Sequence, residues 1–272
     1  MRAIEKIVRL CLLFSVVVLF SFNLISCKKQ INGAEDVSQS VKTKILALGF
    51  STDNIQRIEG GYLAEGDIVL SESELDLKPQ TRFLRIGGNE QYRTYNLLTA
   101  LPRTVTINIS GKFSFVYAAA LDEAIRRYNA ENLQIHFQRA NNNADIDIVR
   151  ASGNWIASSG LPSATGTLYR TIKLNPWVIG NGNNTGTFIN YLATLIAHEI
   201  GHCIGFRHTD YMNRSFSCTG RSVNEGAGDS GAVNIPGTPA SSDNHSWMLA
   251  CIKANENRPF DDNDKIALRY LY

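Results

Sequence analysis

The sequence has 272 residues, 44% of them hydrophobic and 19% charged, with 27 basic against 25 acidic residues and a formal net charge of +2. These proportions exclude a disordered chain, and the length allows one sizeable domain with a smaller one beside it. So even a balance leaves no polybasic footprint, and nucleic acid is not expected as a partner.

The N-terminus stands apart. Arg2, Lys6 and Arg9 precede an apolar run from Leu10 to Phe22. That is the shape of a secretory signal peptide, and the run is short for a membrane span. It ends in Leu24-Ile25-Ser26-Cys27. This resembles the lipobox of bacterial lipoproteins, in which the cysteine is lipidated and becomes the first mature residue. The alternative is an uncleaved anchor helix; Lys28 and Lys29 suit either, and the small Ser26 favours cleavage. Residues 1–27 hold three of the 27 basic and one of the 25 acidic residues, so 24 of each remain after cleavage. The resemblance implies an exported lipoprotein of the bacterial envelope, at the outer membrane or cell surface. Several acyl chains on Cys27 would give stable anchoring, where a single chain is marginal.

Residues 28–40 are polar and read as a tether. Val41 to Leu48 has helical apolar spacing that stops at Gly49. Tyr62 to Leu70 reads as a turn within extended chain, and residues 71–102 show no clear pattern. From Arg103 the signals sharpen. Val105, Ile107 and Ile109 alternate as a strand, and Phe113, Tyr117, Leu121, Ala124, Ile125 and Tyr128 mark an amphipathic helix. Ile135 with Phe137, Ile146 with Ile148, and Leu168, Ile172 and Leu174 mark three further strands. Residues 152–166 and 180–186 are loops by composition. A helix follows from about Phe188. Beyond His208 no period is visible until Asp261–Asp264, a helix-start signal before Ile266, Leu268, Leu271 and Tyr272. Within that stretch Ile235-Pro236-Gly237-Thr238-Pro239 is either a wall of a substrate pocket or an ordinary turn. The predicted fold class is α+β.

The chemistry concentrates in His198-Glu199-Ile200-Gly201-His202-Cys203-Ile204-Gly205-Phe206-Arg207-His208. Histidines at 198 and 202 share one helical face and can share a metal ion. Gly205 can take the left-handed conformation that ends a helix, so that the chain returns His208 as a third nitrogen ligand. Three imidazoles and one open position describe a catalytic zinc site rather than a structural one. Glu199 stands beside the ligands as the base that takes a proton from water. Leu192, Ile196, Ile200, Cys203 and Ile204 give the same helix an apolar, buried face. Cys203 therefore reads as a buried free thiol. Cys218 and Cys251 are the expected disulfide in an exported compartment, although sequence alone does not fix connectivity.

The full motif resembles that of the metzincin clan of zinc endopeptidases, and the literal His-Glu-Ile-Gly-His followed by His208-Thr209-Asp210 is similar to the bacterial HEIGH-type metallopeptidase family. The resemblance implies an upper subdomain with a twisted mixed sheet over the zinc helix. It also implies an irregular lower subdomain with a methionine turn and a C-terminal helix. Ser246-Trp247-Met248 is similar to that turn, with Met248 as its methionine. His198, His202 and His208 become Zn2+ ligands, Glu199 the catalytic base, and a protein or peptide the substrate. An edge strand beside the site would pair with that substrate, and the strand Leu168–Leu174 is the one assigned to this task. The tyrosine two residues after the methionine in astacins is Ala250 here, and their glutamate after the third histidine is Thr209. Upstream, Glu65-Gly66-Asp67-Ile68 resembles the astacin propeptide motif whose aspartate blocks the zinc, making Asp67 a latency ligand. The other reading is a Gly-Asp turn between short strands. His245 has no assigned role. The expected organisation is a signal peptide over 1–27, a tether and prodomain over 28–102, and a catalytic domain over 103–272. A zinc-containing surface lipoprotein that binds peptides without cutting them is the competing function.

Overall fold

The computed structural model describes residues 37–76, 91–109, 112–182, 184–220, 222–225, 231–239 and 243–272. The signal peptide and Cys27 lie outside the described residues. No described helix is long and apolar enough to cross a membrane.

The first described segment is a small layer of its own. Helix α1 (Gln39–Leu48) starts at Ser38, whose hydroxyl accepts from the Val41 amide, and ends at Gly49 with φ 90°. An antiparallel meander follows, β1 (Gln56–Ile58), β2 (Gly61–Ala64) and β3 (Ile68–Ser71), then a single helical turn α2 (Glu72–Leu75). Ala64 pairs with Ile68, so Glu65, Gly66 and Asp67 form the loop of the β2–β3 hairpin. Glu65 and Gly66 both have positive φ, 56° and 91°. Ile45, Phe50, Tyr62, Ile68 and Leu70 fill the segment's core, with Leu161 from later in the chain closing it.

The main body is built on a five-stranded sheet. Its strands are β5 (Arg103–Ile109), β6 (Ile135–Ala140), β7 (Ile146–Arg150), β8 (Ala157–Ser158) and β9 (Thr171–Leu174), in the order β6-β5-β7-β9-β8. Strands β6, β5, β7 and β9 run parallel, and β8 is antiparallel to β9. Two long helices, α3 (Phe115–Asn129) and α5 (Gly186–Ile204), pack with the sheet; between β9 and α5 lies the short α4 (Pro176–Ile179). Val105, Ile107, Ile148 and Ile172 of the sheet share one core with Tyr117 and Leu121 of α3 and Ile196 and Ile200 of α5. Each such side chain contributes about 1.5–3 kcal/mol relative to exposure. The Tyr128 hydroxyl donates to the Ala197 carbonyl at 2.8 Å, tying α3 to the middle of α5.

One expectation needs correction. The strand around Leu168–Leu174 is not the edge: β9 covers only Thr171–Leu174 and is flanked by β7 and β8. The edge on that side of the sheet is β8, two residues long and too short to show alternation, and the opposite edge is β6.

Residues 91–98 are woven into this body. Strand β4 (Tyr92–Arg93) pairs with β10 (Val233–Asn234), the Tyr92 carbonyl accepts from the Arg207 amide, and Thr94 N–H donates to the Gly205 carbonyl. Ile235 is buried in the core and its amide donates to the Gln91 carbonyl. Thr238 N–H closes a turn on the Ile235 carbonyl, so the 235–239 stretch is a turn and does not line the cleft beside Glu199. The C-terminal helix α6 (Asp262–Leu271) starts in a capping box between Asp261 and Asp264. Cys218 and Cys251 are disulfide-bonded with Cα atoms 5.1 Å apart, and Cys203 is a buried free thiol. On the chain-entropy model a loop of this size stabilises by roughly 3–4 kcal/mol.

Candidate metal centre

Helix α5 runs from its Thr185 cap to Gly205, whose φ of 114° and bonds to the carbonyls of Gly201 and His202 end it in the left-handed conformation. The chain then turns back and brings His208 to His198 and His202. Ligand atoms of these three histidines and Asp67 all lie within 4.8 Å of one another.

Each imidazole is oriented by its other nitrogen. His198 Nδ1 is 2.9 Å from the Trp247 carbonyl, His202 Nδ1 is 2.9 Å from the Phe206 carbonyl, and His208 Nδ1 is 3.0 Å from a carboxylate oxygen of Glu225. The backbone carbonyls at Nδ1 of His198 and His202 assign the proton there and leave Nε2 as a lone pair, whereas His208 meets a carboxylate at each nitrogen, Glu225 at Nδ1 and Asp67 at Nε2. His198 and His202 then face each other Nε2 to Nε2 at 3.0 Å. Two lone pairs at that distance repel unless a cation lies between them. Asp67 Oδ1 is buried without a hydrogen-bond partner, another donor awaiting a cation. Zinc fits this set of nitrogens and carboxylate oxygen.

The remaining electrostatics agree. Burial works to lower the His208 pKa, but the carboxylates of Asp67 and Glu225 hold it well above the usual histidine value. Burial and the neighbouring His198 push His202 well below it. The pocket thus favours positive charge on the side facing the carboxylates and neutral imidazole at its centre.

Met248 lies beneath the helix. A Cβ on Gly201 would meet its sulfur at 2.6 Å, so the glycine of the motif is what lets the methionine turn close against α5. The Met248 carbonyl accepts from the Thr209 amide, and Trp247 supplies the carbonyl that orients His198. His245 is exposed, and it is not among the converging ligand atoms.

Glu199 is 2% exposed, next to the ligands. Burial and the nearby Asp67 charge raise its pKa well above the usual carboxylate range. The Ser159 hydroxyl donates to Glu199 Oε2 at 2.7 Å. A cavity of about 240 Å³ opens beside it, lined by Trp155, Leu195, His198, Leu249 and Ile252 among others.

The hairpin loop enters this site from the first segment. Asp67 Oδ2 is 3.1 Å from His208 Nε2 and 3.4 Å from His198 Nε2. Its neighbour Glu65 is fully buried against Arg207, at 3.1 and 3.2 Å, with the Arg207 guanidinium stacked over Phe50. Arg214 donates to the Glu65 carbonyl and to Glu225. Past the loop, the chain runs parallel to the sheet edge: Ser159 N–H donates to the Asp67 carbonyl and Val69 N–H to the Ser159 carbonyl.

Sequence reading missed two residues of this site, Glu225 and Ser159. Both come from stretches without periodicity, and only the presence of an acid or hydroxyl in the loop could have drawn attention to them.

A family model described as dual-action HEIGH metallo-peptidase matches residues 64–272. The chain belongs to this family. The region matched to the HEIGH family begins just before the loop that carries Asp67, so that loop and the zinc helix lie inside one matched unit. No curated protein matches the chain. Two solved structures of myroilysin are similar to this HEIGH-family chain. One aligns at 16% identity over 43% of this chain and 54% of its own, with a TM-score of 0.32. The other aligns at 13% identity over 63% and 83%, with a TM-score of 0.37. High choriolytic enzyme 1, a hatching enzyme zinc-protease from the medaka fish Oryzias latipes, aligns at 26% identity over 39% and 44%, with a TM-score of 0.27. The chain spans about half the length of the first of these myroilysin structures and of the hatching enzyme.

Proposed function

We propose that the chain is a zinc endopeptidase, that Glu199 is its general base, and that Asp67 keeps the full-length form latent. The observation that carries this reading is the convergence of three Nδ1-anchored imidazoles beside the buried Glu199 carboxylate, at the mouth of a cleft. His198, His202 and His208 would hold the metal. Bound zinc supplies a Lewis acid for the peptide carbonyl and lowers the pKa of water. Glu199 takes the proton from the attacking water and passes it to the leaving amine. Its low exposure and raised pKa suit a group that must both accept and return a proton. An extended substrate would dock on the β8 edge through the same Ser159 amide and carbonyl that now hold residues 67–69. In this reading the prosegment expected over 28–102 would end before Gln91, because residues 91–94 pair with the catalytic body.

The test is hydrolysis of a peptide library by the full-length chain, by Asp67→Ala, and by Asp67→Ala with Glu199→Ala. Cleavage by Asp67→Ala that disappears in the double variant supports the reading. Equal silence from both, each with one zinc bound, would leave a peptide-binding protein instead.

We further propose that Cys27 carries the lipid anchor of an exported envelope protein, on the strength of the residues that precede it. Cys27→Ser should move the protein from the membrane fraction to the soluble one. A protein that stays with the membrane unchanged would overturn the anchor.

A further inference from the structure

The sheet edge and the general base meet at Ser159. This residue follows β8 directly and is 0% exposed. Its main chain serves the peptide groove: the amide donates to the Asp67 carbonyl at 2.9 Å, and the carbonyl accepts from Val69 at 2.6 Å. Its hydroxyl serves the base. Ser159 Oγ lies 2.7 Å from Glu199 Oε2 and 3.0 Å from the Glu199 carbonyl. A hydroxyl has one proton to give, and the shorter contact to the ionisable oxygen is the stronger bond.

We propose that Ser159 is a positioning residue for hydrolysis: its main chain docks the extended substrate while its side chain fixes Glu199 relative to that same substrate. This rests on Glu199 being the base. The glutamate side chain has three rotatable bonds, and its carboxylate must stand within hydrogen-bond reach of the water it activates. With one oxygen held by Ser159, the other is left for proton transfer. Because the amide and carbonyl that place the peptide belong to the residue whose hydroxyl places the base, the spacing between scissile bond and base is set within one residue. Nothing in the zinc motif supplies this link. It comes from a loop some forty residues earlier in the chain.

The test uses the full-length chain in the Asp67→Ala background, where the metal site is open, with kcat and KM measured on an extended peptide at concentrations that displace residues 67–69 from Ser159, the displacement followed by hydrogen exchange of the Val69 amide. Ser159→Ala keeps both main-chain groups and removes only the hydroxyl. It should lower kcat by roughly 10- to 100-fold, the scale of a misplaced catalytic group. KM should stay within about twofold, the margin for independent effects. The same substitution should change the residual rate of Glu199→Gln by no more than about twofold, since a residue acting through Glu199 has nothing left to act on. Zinc content and thermal unfolding are followed alongside. A rise in KM alone would make Ser159 a docking residue only. An equal fall in both backgrounds, or loss of zinc or of folding, would make it a packing residue. Each of these overturns the proposal and leaves Glu199 as base untouched. Full activity in Glu199→Gln would instead overturn the reading on which the proposal stands.

Discussion

Asp67 Oδ2 and His208 Nε2 stand 3.1 Å apart across the metal centre, although 141 residues separate them in sequence. Burial acts to raise the Asp67 pKa, but the adjoining histidines, the His208 charge first, hold it well below the usual carboxylate range. A carboxylate so placed competes with water for the metal. If the open form is the minor state of a two-state equilibrium at roughly 0.1–10%, Asp67→Ala should raise peptidase activity of the uncleaved chain about 10- to 1,000-fold. Activity unchanged in a zinc-loaded Asp67→Ala protein would remove Asp67 from any latency role.

Glu225 should matter to the metal without touching it. It holds His208 Nδ1 at 3.0 Å and is itself held by Arg214 at 2.9 Å. Partners of this kind fix the ring and raise its basicity, and losing one costs about 10- to 100-fold in metal affinity. Glu225→Gln should therefore weaken zinc binding by that factor in a chelator competition. Affinity within experimental error of the parent would mean the main-chain turn alone positions His208.

Gly201 predicts a stability defect that propensity alone would get wrong. Alanine favours a helix interior by about 0.8–1 kcal/mol over glycine. Here the new Cβ would meet the Met248 sulfur at 2.6 Å and Trp247 Nε1 at 3.3 Å, and both side chains are buried. Overpacking of that kind costs about 1–3 kcal/mol. Gly201→Ala should come out less stable, with a lowered Tm, and less active because Trp247 also orients His198. A stabilised variant would show that the methionine turn yields freely.

How much of this was legible follows from where each residue sits. His198, Glu199 and His202 could be read because a helix gives fixed spacing a fixed geometry, and Gly205 announced the turn to His208. Asp67 was legible only through a short resemblance, against a Gly-Asp turn that local pattern favoured; the structure has the turn and also places its aspartate among the histidines. The edge strand was misassigned because sheet order is a long-range property, and a two-residue strand carries no period. Glu225 and Ser159 were invisible for the same reason. They lie in irregular chain, where position is set by tertiary packing rather than by local pattern. Cys218 and Cys251 fell out by elimination, since Cys203 sits on the apolar face of α5.

Asp264 links pH to the methionine turn. It is fully buried, and its carboxyl accepts from Gln91 Nε2 at 2.6 Å, from the Trp247 amide at 3.1 Å and from the Asp261 amide at 3.1 Å. Burial, reinforced by the nearby Asp261, pushes its pKa up to about 8 against the pull of those donors. An unfolded aspartate titrates near 3.9. Between those values the folded chain holds a proton that the unfolded chain has lost, so stability falls as pH rises. One proton corresponds to a slope of at most about 1.4 kcal/mol per pH unit. Asp264→Asn cannot ionise and should flatten that part of the curve. Urea unfolding of both proteins from pH 6 to pH 8 checks it. A parent curve no steeper than that of Asp264→Asn would mean that the three N–H donors outweigh burial and keep the carboxylate ionised in the fold.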